Sequence, residues 1–331
     1  MVIVLAQFIF SALLIIGAGI YLTRSADTIA DLTGLGKLII GSVLLAGATS
    51  LTELFVGLNA IRARIPELAM GNLLGACLIN LFILALADCL HHSKSKRFSL
   101  ISAGHALSAC LLVILIIIVA VAILLVPGHG PTFLNASLPS YLLLATYLIS
   151  MRIIFKNQNQ LHDKKITFKS QSLKSIYPAL LTFSISALII AYACPILVSA
   201  AESISQKTGL GETFIGLTLV SITTSLPELV ATLQAVRMGS YEMAFGNILG
   251  SNAYNILVIA LLDFFVDGSI FAAIGTIHVF TCLAIIMCIS VAIIGQLYQV
   301  ERSKRFFEPD AMIIMGTVII SYYFLYQFTS S

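Results

Sequence analysis

Long apolar runs separated by short polar segments extend along the whole sequence. A helix needs about 20 mostly apolar residues to cross the hydrocarbon core of a membrane, and ten segments meet this requirement. They lie near residues 2–23, 36–62, 67–90, 101–126, 139–156, 174–201, 211–238, 241–265, 271–298 and 309–328. The first segment has no basic leader and no small-residue cleavage site, so we interpret it as a retained span rather than a signal peptide. The pattern predicts an all-α polytopic membrane protein with ten transmembrane helices.

Composition agrees with a membrane protein and argues against several other classes. Charged residues make up 10% of the chain and hydrophobic residues 59%, whereas soluble domains carry about 25% charge. The net charge of +3 is small, which argues against nucleic acid as a partner. The six cysteines form no C-x-x-C pair, and no H-E-x-x-H, G-x-S-x-G or Walker motif occurs. We therefore expect no zinc site, no cofactor and no enzymatic activity.

Basic residues are concentrated in the odd-numbered loops between the predicted spans. The even-numbered loops carry only Arg62, Arg64 and Lys207. Because loops rich in lysine and arginine stay in the cytoplasm, we expect both termini outside the cytoplasm and the polar linker 157–173 inside. The chain would then be a multi-pass protein of a plasma membrane or a bacterial inner membrane.

The second half of the chain repeats the first at an offset of 175 residues. Residues 33–88 align with residues 208–263 without a gap, and roughly 25 of the 56 paired positions are identical. The matches include glutamate, asparagine, Thr-Ser and Gly-Asn pairs, which apolar composition alone would not place in register. We predict a first five-helix repeat at 1–156 and a second at 174–331. Because five is an odd number, the second repeat must enter the membrane from the opposite side, so the two repeats are inverted.

Two glutamates, Glu53 and Glu228, lie near the middle of the second and seventh predicted spans. An ionisable group at this depth is costly and is a functional hypothesis by default. No lysine, arginine or histidine occurs at comparable depth, so a structural ion pair explains the glutamates poorly. Thr49 and Thr224 come four residues earlier, on the same helix face as each glutamate. Two facing glutamates without a counter-cation would repel each other, so we predict that they hold a proton or a metal ion between the two repeats.

The residue types around the glutamates limit which cations fit. Carboxylate, amide, hydroxyl and carbonyl oxygens suit Ca²⁺, Mg²⁺ or Na⁺, whereas zinc and copper prefer nitrogen and sulfur. Two ionised glutamates balance one divalent cation, or two monovalent cations or protons, and mutually exclusive occupancy is the physical basis of exchange. Gly47, Gly75 and Gly250 lie beside these positions. They favour either helix interruptions that expose carbonyls to a cavity or close helix packing.

Paired sequence blocks carry a resemblance to a known family. The first repeat has Ala48-Thr-Ser-Leu-Thr-Glu53 and Gly71-Asn-Leu-Leu-Gly-Ala-Cys-Leu-Ile-Asn80. The second has Thr223-Thr-Ser-Leu-Pro-Glu228 and Gly246-Asn-Ile-Leu-Gly-Ser-Asn-Ala-Tyr-Asn255. These blocks resemble the α-repeats of the cation/calcium exchanger superfamily, with the strongest likeness to prokaryotic sodium/calcium exchangers.

The resemblance implies Na⁺-driven Ca²⁺ exchange by alternating access, without ATP. Glu53 and Glu228 would be the central Ca²⁺ ligands, together with the backbone carbonyls of Thr49 and Thr224. The first and sixth spans would be the family's sliding gate helices. Flanking Na⁺ sites would use Ser50, Ser225, Ser251, Asn80, Asn255 and carbonyls near Ala46 and Ser221.

Three features depart from the family's pattern. Gly75-Ala76-Cys77 stands where the pattern is Gly-Ser-Asn, so a hydroxyl ligand of one sodium site is missing. Thr52 replaces the usual proline, which we expect to weaken the break in the second span. Asn255 stands where some members place a third acidic residue. These departures leave the coupling ion and the stoichiometry open.

The sequence as a whole predicts a secondary antiporter that exchanges Ca²⁺ for Na⁺. Its expected partners are these two ions as substrates and the lipid bilayer, and a monomer is the working expectation. Two alternatives stay open: an exchanger of the same fold that is coupled to protons or moves another cation, and a cation-binding membrane protein that does not transport.

Three further polar residues receive structural interpretations. Asp88 and Asp263 occupy equivalent positions at the ends of the third and eighth predicted spans. Because span ends lie near water, we expect solvated or capping roles for both. His278 lies inside the ninth predicted span, where we expect a hydrogen-bonded contact between helices.

Overall fold

The computed structural model describes residues 2–91, 103–125, 132–162, 176–208, 220–297 and 309–330. The first half contains α1 Val2–Thr33, α2 Lys37–Ile39, a π-helix Ile40–Leu45, α3 Ala46–Thr49, α4 Leu51–Arg62, α5 Pro66–His91, α6 Ala103–Leu125, β1 Thr132–Phe133, β2 Ala136–Ser137 and α7 Leu138–His162. The second half contains α8 Ile176–Thr208, the described end of α9 at 220–224, α10 Leu226–Arg237, α11 Tyr241–Leu262, a 3₁₀-helix Asp263–Phe265, α12 Ile277–Leu297 and α13 Pro309–Ser330.

Within the described residues, eight helices are long and apolar enough to cross a membrane: α1, α5, α6, α7, α8, α11, α12 and α13. The segment from α2 to α3 and the following helix α4 are together long and apolar enough for one broken span or a re-entrant segment, with a bend of 42° at Ser50. The predicted seventh span begins at 211, outside the described residues, and its described part comprises α9 and α10. The structure confirms a helical membrane protein, while the count of ten spans and their inversion stay predictions.

The prediction for the ninth span was wrong at its start. We expected a helix from residue 271, but α12 begins at Ile277. The preceding residues form turns in which the Ala272 and Ala273 amides donate to the Ser269 carbonyl, at 3.2 and 3.1 Å. Phe271 in this segment is only 1% exposed. Because hydropathy records burial and not backbone conformation, a buried apolar turn looks like the beginning of a span.

A short hairpin interrupts the otherwise helical chain before α7. Strands β1 and β2 pair antiparallel, with Thr132 opposite Ser137 and Phe133 opposite Ala136. Leu134 and Asn135 between them have φ values of 48° and 64°. Positive φ at both central residues is typical of the tight turns that join antiparallel strands. The all-α prediction therefore holds for the spans and was wrong for this connection.

Asp263 caps the hairpin and the following turn from a buried position. Its Oδ2 accepts hydrogen bonds from the Ser137 amide (2.7 Å), the Ser137 hydroxyl (2.7 Å) and the Ser140 hydroxyl (2.6 Å). Its Oδ1 accepts from the Ile270 amide at 2.7 Å. The capping prediction is confirmed. The expectation of a position near water was wrong, since Asp263 is fully buried, and four donors replace the missing solvent.

Helices α5 and α11 form the centre of the molecule. In their most apolar segments 78% and 72% of residues are buried, compared with 22% in α1, α7 and α13. The outer helices expose large apolar side chains, for example Leu13 (62%), Leu188 (69%) and Tyr192 (73%). A surface of this kind is stable only against lipid. The polar residues of α5 and α11 are therefore held in the interior, where the two halves of the chain meet.

His278 lies near the start of α12, and its Nε2 is 3.5 Å from Glu67 Oε1 at the start of α5. Glu67 also accepts from the Gly275 amide at 3.1 Å. The predicted contact between helices is present as this approach of two side chains, but neither ring nitrogen of His278 has a hydrogen-bond partner among the described residues. Because the Glu67 side chain is half exposed, the pair lies at the edge of the helix bundle and away from its centre.

Candidate ion-binding site

Both predicted glutamates lie in the first turn of a helix that follows a break. Ser50 precedes α4 and Ser225 precedes α10, and neither serine caps its own helix through its side chain. Glu53 and Glu228 are each the third residue of these helices and are fully buried. The amino-terminal end of a helix carries partial positive charge, which stabilises a carboxylate there. The breaks therefore place two negative groups at favourable positions within the bundle.

Hydrogen bonds connect the glutamates across the two halves of the chain. The Ser50 hydroxyl donates to Glu228 Oε1 at 3.1 Å, although the two residues are 178 positions apart. The Thr52 hydroxyl lies 2.6 Å from Glu53 Oε2 and 3.3 Å from the Thr224 carbonyl oxygen. These contacts bring the two breaks together, so the two acidic residues lie close to one another in the interior.

One oxygen of each carboxylate has no hydrogen-bond donor within the described residues. Three further predicted site residues contribute unpaired buried oxygens in the same way. The unpaired atoms are Glu53 Oε1, Glu228 Oε2, Asn80 Oδ1, Asn255 Oδ1 and Ser225 Oγ. Leaving a buried polar group unpaired costs about 1–3 kcal/mol, and more for a charged group. A bound cation would satisfy the four carboxylate and amide oxygens together, and a hydroxyl can serve as a further ligand.

No buried positive side chain compensates the two glutamates. Among the residues whose burial is described, no lysine or arginine is buried. The buried acidic residues and histidines are Glu53, Glu228, Asp263, His105 and His278. Asp263 has its own donors, and both histidines lie within three residues of a helix start. The described parts of the chain also hold no cluster of three or more His, Cys, Asp or Glu side chains suited to a metal. The candidate ligands that remain are two carboxylates and neutral oxygens, and this set suits a hard cation.

Amide side chains of α5 and α11 bond across the centre of the molecule. Asn80 Nδ2 donates to Asn252 Oδ1 at 2.9 Å, and Asn252 Nδ2 donates to the Cys77 carbonyl at 3.2 Å. Asn255 Nδ2 points at Cys77 Sγ at 3.9 Å. Because the NH₂ groups of Asn80 and Asn255 are used in this way, their Oδ1 atoms are the ends left for a ligand. Our sequence analysis did not select Asn252, although its place opposite Cys77 in the repeat was visible.

The predicted carbonyl ligands near Ala46 and Ser221 already accept hydrogen bonds. Ala46 O accepts from the Ser50 amide (2.9 Å) and the Thr49 hydroxyl (3.2 Å). Ser221 O accepts from the Ser225 amide (3.1 Å) and the Thr224 hydroxyl (3.1 Å). A sodium ion at either carbonyl would have to displace the threonine hydroxyl. Their role as ligands stays a prediction.

The sequence comparisons identify the family. The sequence profile of a family described as sodium/calcium exchanger protein matches residues 3–156 and, separately, residues 178–331. The chain belongs to the sodium/calcium exchanger family. The two matches are 175 residues apart, which is the offset of the internal repeat.

Individual relatives within and around this family are moderately similar. The inner membrane protein YrbG of Escherichia coli is 29% identical over 78% of this chain and 78% of its own length. The sodium/calcium exchanger MaX1 of Methanosarcina acetivorans is 26% identical over 72% of this chain and 76% of its own. A solved structure of the sodium-calcium exchanger NCX_Mj, soaked with Na⁺ and Sr²⁺, superposes with a TM-score of 0.75. That match covers 97% of this chain and 98% of the other at 20% identity, and it shows a shared fold.

Within this exchanger-family chain, the departures from the family's pattern have structural consequences. Ser251 Oγ lies 3.5 Å from Thr49 Oγ1, whereas its repeat counterpart Ala76 offers no hydroxyl to Thr224. The Thr224 hydroxyl instead lies 3.4 Å from Asn72 Oδ1. An effect of Thr52 on the break is not seen in the backbone angles at Ser50, which match those at Ser225 in the repeat that carries the proline. The departures therefore change the side chains of the candidate site more than its backbone.

The glycines of the candidate site differ in how closely their neighbours pack. A Cβ on Gly250 would collide with the backbone of Ser42, and one on Gly75 would lie 2.7 Å from the Ser221 hydroxyl oxygen. These two positions are close contacts between helices. A Cβ on Gly47 would meet nothing within 4 Å. Close packing thus accounts for Gly250 and Gly75, while at Gly47 nothing packs closely enough to require a glycine.

Proposed function

We propose that this protein exchanges Ca²⁺ for Na⁺ across a membrane by alternating access. The observation that carries the proposal is the pair Glu53 and Glu228, fully buried without a buried basic partner in the described chain, each with one carboxylate oxygen free of donors. Such a pair is stable in the ionised form only with cations between its members. Membership of the sodium/calcium exchanger family supports Ca²⁺ and Na⁺ as the ions that move.

In this proposal each group of site residues has a different role. Glu53 and Glu228 hold Ca²⁺ at the centre with the carbonyls of Thr49 and Thr224. The flanking oxygens would hold Na⁺ and come from Ser50, Ser225, Ser251, Asn80, Asn255, Ala46 and Ser221. Two negative charges balance one Ca²⁺ or two Na⁺, so loading one set of ions excludes the other. The unpaired atoms of Asn80, Asn255 and Ser225 support flanking sites of this kind.

Helices α1 and α8 are the proposed moving elements. They pack along one another and against the breaks, with α1 against α10 and α8 against α3 and α4. Ile15 of α1 shares a small apolar cluster with Ala193, Cys194 and Leu197 of α8, separate from the main core. Apolar contacts without directional bonds permit sliding, and movement of the two helices would expose the glutamates to one side at a time.

We also propose the placement of the protein in its membrane. The division into repeats at 1–156 and 174–331, inverted about the site, rests on the sequence pattern, and the similar backbone angles at Ser50 and Ser225 support it. Lysine and arginine in the odd-numbered loops favour termini outside the cytoplasm. The relative YrbG is named an inner membrane protein, which supports a plasma or inner membrane location.

A gradient exchange in vesicles tests the proposal. Purified protein in liposomes should take up ⁴⁵Ca²⁺ when Na⁺ is loaded inside and removed outside, and a pH gradient alone should give no uptake. Glu53→Gln should remove the Na⁺-driven uptake while the protein still reconstitutes. Uptake with a pH gradient only would contradict Na⁺ coupling, and absence of uptake with either gradient would contradict transport.

One observation favours proton coupling as the second candidate. Ala76 stands where the other repeat has Ser251, so the first repeat supplies one hydroxyl ligand fewer to a flanking sodium site. A proton needs only a carboxylate and no ligand shell. The same vesicle experiment separates the two candidates, since Ca²⁺ uptake would then follow the pH gradient.

A further inference from the structure

The Thr52 hydroxyl occupies an unusual position at the centre of the site. It lies 2.6 Å from Glu53 Oε2, 3.1 Å from the Thr49 carbonyl oxygen and 3.3 Å from the Thr224 carbonyl oxygen. Thr52 is only 1% exposed, so water does not supply alternative partners. One hydroxyl thus contacts three of the four groups that the proposed function assigns to Ca²⁺.

The proton of this hydroxyl has one best destination. A hydroxyl donates a single hydrogen bond, and three acceptors face this one. Bonds to a carboxylate are shorter and stronger than bonds to neutral carbonyls, and the contact with Glu53 is the shortest of the three. The proton therefore goes to Glu53 Oε2. The other carboxylate oxygen, Oε1, has no donor, and the two carbonyl oxygens face the oxygen of the hydroxyl and not its proton.

The second repeat has no equivalent of this contact. Pro227 stands at the position of Thr52, in the first turn of α10, where a proline is tolerated because no intrahelical bond is lost. Glu228 takes its hydrogen bond from Ser50 across the repeat boundary. The hydroxyl of Ser225, which is the counterpart of Ser50, has no partner among the described residues. In a symmetric site the Ser225 hydroxyl would donate to Glu53, as Ser50 does to Glu228. Here Glu53 takes its hydrogen bond from Thr52 instead.

We propose that Thr52 is a positioning residue that sets the Ca²⁺ affinity of the central site. This inference rests on the proposed function. The hydroxyl holds the Glu53 carboxylate through Oε2 and leaves Oε1 available for the ion. It replaces the missing contribution of Ser225, and it keeps the first repeat competent although the usual proline is absent.

Binding measurements on three variants of residue 52 test this role. Thr52→Val keeps the shape and removes the hydroxyl, so Ca²⁺ affinity should fall by about tenfold, the loss expected for a bond to a charged group. Thr52→Pro also lacks the hydroxyl and should show the same loss. Thr52→Ser restores the hydroxyl and should return the affinity to within about twofold of wild type. Equilibrium dialysis of purified protein in lipid nanodiscs with ⁴⁵Ca²⁺ gives the three values.

Controls separate positioning from a general loss of structure. Thr281→Val removes a buried hydroxyl of α12 that has no partner in the described chain, and it should leave Ca²⁺ affinity unchanged. Wild-type affinity in Thr52→Val, or a loss that Thr52→Ser does not repair, would overturn the inference. If Glu53→Gln loses Ca²⁺ binding while Thr52→Val keeps it, this inference alone is wrong. If Glu53→Gln binds as well as wild type, the proposed function is wrong and this inference with it.

Discussion

At the two breaks the backbone is nearly identical and the hydrogen bonding is not. Ser50 has φ −81° and ψ 6°, Ser225 has φ −82° and ψ 5°, and each precedes a helix of 12 residues. Yet the Ser50 hydroxyl donates to the glutamate of the other repeat, whereas the Ser225 hydroxyl has no partner in the described structure. Two repeats with the same backbone conformation can therefore differ in the side chains that would surround an ion.

The difference follows from what each part of a repeat must satisfy. The backbone of a break is constrained because helix ends must find partners for their amides and carbonyls within a membrane. A side chain in the site has to satisfy only the ion and its neighbours. Changes such as Ala76 for serine or Thr52 for proline thus alter ligands without altering the bend.

The largest expected effect comes from removing either charge. Glu53→Gln and Glu228→Gln should each lower Na⁺-driven Ca²⁺ uptake by about two orders of magnitude or more, because each leaves a single buried carboxylate for a divalent ion. Uptake of ⁴⁵Ca²⁺ into proteoliposomes measures this. Glu67→Gln is the matched control, since Glu67 is half exposed and bonded to Gly275 outside the site. Normal uptake in either site variant would contradict the shared site.

Alanine substitutions at the glycine contacts should lower the thermal stability of the protein by different amounts in the two repeats. Gly250→Ala places a methyl group against the backbone of Ser42, which cannot move aside, and should destabilise the protein by about 1–3 kcal/mol or more. Gly75→Ala, at the equivalent position, meets the side chains of Ser221 and Tyr322 and should cost less. Gly47→Ala meets open space and should be neutral or stabilising.

Melting temperatures in detergent, followed by far-UV circular dichroism, give the order of these three variants. Dichroism is the suitable probe because the chain contains no tryptophan. A melting temperature for Gly75→Ala below that of Gly250→Ala would show that α5 and not α11 makes the tighter contact.

A smaller effect is expected where the repeats differ at their span ends. Asp263→Asn keeps one acceptor oxygen and loses bonds from Ser137 and Ser140 or from Ile270, so unfolding should become easier by about 1–3 kcal/mol. Asp88, its repeat counterpart, is only partly buried. Asp88→Asn should therefore change the melting temperature less, and an equal shift would show that burial does not distinguish the two aspartates.

Much of this architecture could be predicted from the order of residues alone. Apolar length located the spans because a membrane imposes one minimum length on every helix. The register of Glu53 with Glu228 pointed to a shared site because polar matches inside apolar repeats do not arise from composition. The start of α12 was missed because Phe271 is buried in a turn and not in a helix.

The partners of the site residues could not be predicted in the same way. The bond from Ser50 to Glu228 depends on how two breaks face each other, and sequence spacing contains no such distance. Asn252 was overlooked because its counterpart is Cys77, so the repeat comparison gave no matched pair at that position. The occupied carbonyl of Ala46 depends on the rotamer of Thr49, which a helical pattern does not specify.

The smallest effect concerns the hydroxyl that the first repeat lacks. Ala76→Ser places an oxygen opposite Thr224 in the way that Ser251 faces Thr49 at 3.5 Å. One added neutral ligand is worth about 1 kcal/mol, so the Na⁺ concentration that half-inhibits ⁴⁵Ca²⁺ binding should fall by about fivefold. Ala76→Cys is the matched control because sulfur fills similar space and is a poor ligand for a hard cation. If both variants shift Na⁺ inhibition equally, the change reflects packing and not coordination. If serine alone shifts it, the two repeats differ at this position by a single sodium ligand.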